Sequence, residues 1–143
     1  MAHIVYNEFL YQLAAQTLNL GTDTLKVALL SNAYTPNKDH AYFSDINSNE
    51  VTGTGYTAGG ALLTGITLTK QDSSDNVKVT GNDVTWVSST ITARYAVIYK
   101  ATGTPGTSPL ILCFDFGTDK QSIDGNFTIE WASEGIFTLS QAV

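Results

Sequence analysis

The stretch Thr90-Ile-Thr-Ala-Arg-Tyr-Ala-Val-Ile-Tyr-Lys-Ala101 decides the fold class. Ile91, Ala93, Tyr95, Val97 and Tyr99 fall on one side of it, and Thr92, Arg94, Ala96, Ile98 and Lys100 on the other. A period of two belongs to extended chain, because successive Cβ atoms point to opposite sides of the pleat. The reading is a β-strand.

The same period extends in both directions. Leu25–Ser31 reads as a strand so apolar that it must be central. Ala61–Lys70, Val77–Thr80 and Val84–Val87 follow, separated by the turns Gln71–Asn76 and Gly81–Asp83. Beyond the hairpin-like loop Thr102–Pro109, Leu110–Phe116 returns as a strand. Gly117–Asn126 then connects to Phe127–Trp131, in which Phe127, Ile129 and Trp131 share a side, and Ile136–Leu139 closes the series. Short strands at this spacing, punctuated by Gly, Pro and Asn, predict an all-β fold. The expected architecture is an antiparallel β-sandwich or jelly-roll-like barrel, with residues 1–143 forming one domain. One helix is expected, over about residues 4–18, where Tyr6, Phe9, Leu10, Leu13, Ala14 and Leu18 recur at helical spacing. Asn19-Leu20-Gly21 supplies its stop, and His3 lies in an end expected to fray.

Composition narrows the function. Hydrophobic residues make up 43 % of the chain and charged residues only 14 %, so Ser, Thr, Asn and Gly cover the surface. The net charge is −6 and the seven cations are scattered, which argues against direct nucleic-acid binding. No apolar run is long enough to span a membrane, and the first residues lack the basic and apolar regions of a secretion signal. The lone cysteine, Cys113, lies in an apolar run and reads as a small core residue.

No reactive centre is expected. Glu130, Glu134 and Asp115 read as solvated carboxylates rather than a glycosidase pair. His40 is the one plausible general base, with no nucleophile motif to serve. His3, His40 and Cys113 lack zinc spacing, and Asp72-Ser-Ser-Asp75-Asn76 reads as an Asx-rich turn rather than a calcium loop. Gly53-Thr-Gly-Tyr-Thr-Ala-Gly-Gly60 lacks the Lys-Ser/Thr ending of a phosphate loop and leads into a strand, so its glycines serve positive φ or close packing. No cofactor or metal is expected. Trp86 and Trp131 alternate with strand neighbours and read as core. Tyr34, Tyr42, Phe43 and Tyr56 lie in loops, and the long loop Asn32–Asn49 is of the length that carries function. These four aromatics are the candidate contacts to a partner protein, against the alternative that they pack the loop onto its own domain.

Several segments in order carry a resemblance: Asp23-Thr-Leu-Lys-Val-Ala-Leu-Leu-Ser31-Asn-Ala-Tyr-Thr-Pro36, Glu50–Gly60, Val84–Lys100, Ser108-Pro-Leu-Ile111 with Phe114-Asp-Phe-Gly117, and Asp124–Trp131. From about Tyr6 to Leu139 the chain is similar to a family of small all-β virion structural proteins of tailed bacteriophages. The resemblance implies a β-rich structural part of the particle and brings no catalytic residue. The expectation drawn from it is a capsid decoration or cement protein, a homo-oligomer with a trimer favoured. Such a protein binds the major capsid protein or another virion protein at the capsid surface after assembly in the host cytoplasm. The alternative is a tail- or fibre-associated module that binds a host glycan or receptor.

Overall fold

The computed structural model describes residues 3–141. It is mostly β, with two antiparallel sheets and one helix, as the alternation predicts. β1 (His3–Val5), β2 (Leu25–Leu30), β3 (Ala61–Leu63), β6 (Val84–Lys100) and β7 (Leu110–Ile129) form a five-stranded sheet in the order β1-β7-β6-β2-β3. β4 (Thr67–Gln71), β5 (Asn76–Thr80) and β8 (Phe137–Ser140) form a three-stranded sheet in the order β4-β5-β8. β2 is interior, as its unbroken apolar run implies: Val27 lies opposite Ile98 on one side and Ala61 on the other.

The helix α1 covers only Asn7–Ala14, not residues 4–18. Ile4 and Val5 instead pair with Cys113 and Leu112 as part of the edge strand β1, which also takes up the supposedly frayed His3 opposite Phe114. At the other end Gln16 adopts φ 63°, and Thr17 N–H and Gln16 N–H reach back to the carbonyls of Gln12 and Leu13. That is a Schellman closure, which stops the helix well before Gly21. Phe9 is buried against the core, while Leu10, expected on the same stripe, points out.

Three strand expectations are also corrected. Ala61–Lys70 is not one strand: β3 pairs with β2 in the larger sheet, and β4 crosses to the smaller one after Gly65, whose φ is 69°. Val84–Val87 and Thr90–Ala101 fall on one strand, β6, which ends at Lys100 and is bent by a bulge at Ser88. Leu110–Phe116 and Phe127–Trp131 likewise belong to one strand, β7, which ends at Ile129 and includes the segment expected to be a connection.

The alternation of Ile91–Tyr99 is real but changes sides. Ala93 lies opposite Lys120 and Tyr95 opposite Asp115, a step of five residues along β7 against two along β6, so the ladder is interrupted there by three extra residues of β7. Ile91 and Ala93 join Ala96 and Ile98 in one core, with Leu29, Trp86, Ile111, Phe127 and, from the smaller sheet, Val79. Tyr95, Val97 and Tyr99 face the other way, into a second core with Tyr6, Leu30, Tyr34, Phe43 and Cys113. Arg94 sits at the switch and forks onto Asp115, Nε–Oδ1 2.7 Å and Nη2–Oδ2 3.4 Å.

Ser89 staples the next distortion along the ribbon. Its buried hydroxyl lies 3.0 Å from Trp86 O, 3.0 Å from Gly125 O and 2.8 Å from Ser122 Oγ. Ser89→Ala leaves those groups short of a partner in a dry site and is expected to lower the unfolding free energy by about 1–3 kcal/mol, measured by chemical denaturation. A change below about 0.5 kcal/mol would mean that water replaces the hydroxyl.

Candidate functional site

The loop between β2 and β3 is where the sequence places partner contacts. Its first half lies across the second core as a covering layer, because β2, β6 and β7 leave an apolar face that neither sheet covers. Ile46 and Phe43 enter that core from turns of 3-10 helix. The Phe43 ring stacks on Tyr99 at 4.3 Å with an interplanar angle of 5°. Tyr34 packs edge-on against Tyr95 at 5.6 Å.

Polar groups fasten the same loop. Tyr34 Oη lies 2.9 Å from Tyr6 Oη and 2.9 Å from His40 Nδ1, a short hydroxyl–imidazole chain running inward from the surface. Burial drives the Tyr6 phenol far above its ordinary pKa, so it stays a neutral donor. Cys113, in the same core, has its thiol pushed up to about 12 by burial, which leaves it protonated and unreactive. Asp45 accepts from Ala41 N–H at 2.9 Å and Tyr42 N–H at 3.0 Å, and those backbone bonds hold its carboxyl below the usual range. Asn7 at the start of α1 donates to Asp39 Oδ1 at 2.9 Å, and Tyr42 Oη donates to Glu8 Oε1 at 3.2 Å. The loop is thus held to helix, sheet and hairpin at once.

Tyr34 and Phe43, expected to face a partner, are therefore buried within their own domain, and their side chains hold the loop down. Tyr42 and Tyr56 are half-buried and keep part of each ring at the surface. Trp86 is in the core; Trp131 is half-buried, its Nε1–H donating to Asn82 O at 2.9 Å. His40 Nδ1 lies against the Tyr34 hydroxyl. Glu130 and Glu134 are exposed and Asp115 belongs to Arg94, so the three carboxylates considered for catalysis do not converge.

A second clamp, which the sequence did not single out, centres on Glu50. Its Oε2 accepts from Tyr56 Oη and from Gly59 N–H at 2.7 Å, while Tyr99 Oη donates to Gly59 O at 2.6 Å. Leu29 N–H in turn donates to Tyr56 Oη at 3.1 Å. The glycine-rich segment is pressed against β2 and β6 in this way. Beside it a cleft of about 310 Å3 is lined by Lys26, Asn47, Glu50, Tyr99 and Thr104 among others.

Burial raises the Glu50 pKa despite the two donors and the nearby Lys26. A carboxyl whose folded pKa lies above its unfolded value binds more protons when folded, so its contribution is full at low pH and fades as pH rises through the folded value. Glu50→Gln keeps an acceptor for Tyr56 and Gly59 but cannot ionise. Its unfolding free energy is expected to gain on wild type as pH rises from below the ordinary glutamate range. Parallel pH profiles for the two proteins would contradict the assignment.

No family model, curated protein or solved structure matches the chain. Among the described residues no three His, Cys, Asp or Glu side chains converge, and no helix is long and apolar enough to cross a membrane.

Proposed function

We propose that this protein is a structural component of a tailed-bacteriophage particle, a decoration or cement protein that sits on the capsid and bridges neighbouring capsomers. On this reading the two sheets act as a β-sandwich scaffold, and the loop that covers the second core is its preformed contact face. The observation that carries the proposal is the locked loop: its aromatic and carboxylate groups are fastened at Tyr6, Tyr99, Glu8 and Asn7 before any partner arrives. A preformed face loses little conformational freedom on docking. Weak contacts then add over many copies on a lattice. The resemblance to small virion proteins supports the same reading.

The test is rebinding to capsids stripped of this protein. Wild type is expected to return at many copies per shell, visible as added density over the capsid. Tyr42→Ala, which removes a half-exposed ring and its bond to Glu8 without opening a buried cavity, is expected to weaken rebinding at least tenfold while lowering the melting temperature by only about a few degrees. Unchanged rebinding would remove the loop from the contact, and no rebinding of wild type would sink the proposal. The cleft beside Glu50 favours a second reading, a tail or fibre module that takes a host glycan. Glycan-array binding lost in Glu50→Gln, with a few copies at the tail, would decide for it.

A further inference from the structure

We infer that the cleft beside Glu50 takes an acidic sugar, whose carboxylate pairs with Lys26 while its ring hydroxyls donate to Glu50. The inference rests on the glycan reading of this cleft and adds to it the class of sugar.

The sequence sets Lys26 apart. Lys26, Ala28 and Leu30 alternate with Leu25, Val27 and Leu29 along β2, so they share one side of an interior strand. On that side Ala28 and Leu30 are buried in the second core. Lys26 is the one charged residue of the strand, half-buried and directly across the ladder from Tyr99. Cross-strand neighbours point the same way, so the ammonium emerges where the second core ends. A Cβ on Gly59 would lie 3.5 Å from Tyr99 Oη and 3.8 Å from Lys26 Nζ, so both tips converge on that glycine.

This ammonium has no counter-ion. The ion pairs among the described residues are Lys70–Asp72, Arg94–Asp115 and Lys100–Asp23. Lys100 shows the contrast: Asp23 Oδ2 lies 3.2 Å from its Nζ, which also donates to Thr17 O at 2.8 Å. Glu50, the other charged residue lining the cleft, lies beyond ion-pair distance of Lys26. Its own charge is met within the fold. Tyr56 Oη and Gly59 N–H both donate to Oε2, while Oε1 takes no donor among the described residues. The carboxylate therefore has partners and the ammonium has none, and a partly desolvated charge without a partner is the costly one.

These two unmet atoms define the ligand. Lys26 requires an anion, and a carboxylate gives it charge-assisted bonds. Glu50 Oε1 requires a neutral donor, which a hydroxyl supplies. Asn47 and Thr104 line the same cleft and can bond further hydroxyls. The volume of about 310 Å3 admits a single sugar residue of a chain. A neutral hexose leaves the ammonium unmet, and an amino sugar brings a second cation beside it. A hexuronate meets both atoms.

Titration of the full chain with methyl glycosides, followed at the Lys26 and Gly59 amide resonances, tests this. The probes are the methyl glycosides of glucuronic, galacturonic and mannuronic acid, each beside the neutral hexoside that differs only at C6. At least one acid is expected to bind about tenfold more tightly than its neutral counterpart. Lys26→Met, which keeps the apolar stem, is expected to bring that acid down to the neutral level. Lys26→Arg, which keeps the charge, retains the preference. Equal binding within every pair overturns the inference and leaves the glycan reading standing. So does a preference that survives in Lys26→Met, or displacement of the acid by an equal concentration of acetate. A wild type that binds none of these sugars also overturns it, and the glycan array then decides the reading beneath it.

Discussion

Phe43→Ala is expected to lower the unfolding free energy by about 3–5 kcal/mol, the range for removing a buried aromatic ring. The ring is buried, and its stacking on Tyr99 joins the loop to β6. The loss is expected to be uneven. Hydrogen exchange should quicken first at the amides of Ala41, Tyr42 and Phe43, whose environment depends on the loop lying flat. Trypsin should cut at Lys38, which α1 holds through Asn7 N–H on its carbonyl at 3.0 Å. Denaturation and exchange together separate two outcomes. A large global loss with early loop opening marks the loop as a core layer, and a loss below about 1 kcal/mol would mean that it is dispensable cover.

Gly60→Ala is the second large effect. Gly60 has φ 81°, and a Cβ built on it meets Val27 O at 1.9 Å and Val27 C at 2.7 Å. The left-handed backbone alone costs a non-glycine residue roughly 1–3 kcal/mol. The clash adds to this, because Val27 is in the interior strand β2 and its carbonyl cannot move without disturbing pairs on either side. Gly106 provides the control: a Cβ there meets nothing within 4 Å and its φ is not positive. Gly106→Ala should melt within about a degree or two of wild type, in line with surface substitutions of under 0.5 kcal/mol. Gly60→Ala should refold in poor yield or melt far lower. Equal melting of the two would show that the glycine-rich segment does not lie against β2.

That glycine run illustrates what residues announce by themselves. Four glycines within Gly53–Gly60 signal close backbone approach whatever the approach is to, and Cβ atoms at Gly53 and Gly60 would strike Thr90 O and Val27 O. Glu50, just upstream, carries no such sign. Its importance arises from Tyr56 and Gly59 folding back over it, and no spacing rule anticipates that bond. The loop aromatics fall between these cases. Their type marked them as contacts, but whether a ring contacts a partner or its own domain depends on an uncovered sheet face. The structure turns Tyr34 and Phe43 inward to cover it.

The helix shows the same division. Its apolar spacing located it, whereas its ends depended on the pairing of Ile4 and Val5 with β7 and on the left-handed turn at Gln16. From sequence alone, then, come the β class, the interior position of Leu25–Leu30 and the core fate of Cys113, because each follows from side-chain polarity along a locally regular backbone. Tertiary structure decided that two pairs of expected strands are single bent ones, that Ala61–Lys70 divides between sheets, and that the alternation around Arg94 serves two cores. A bulge shifts parity without altering composition, so its position is set by the partner strand and is invisible in either strand read alone.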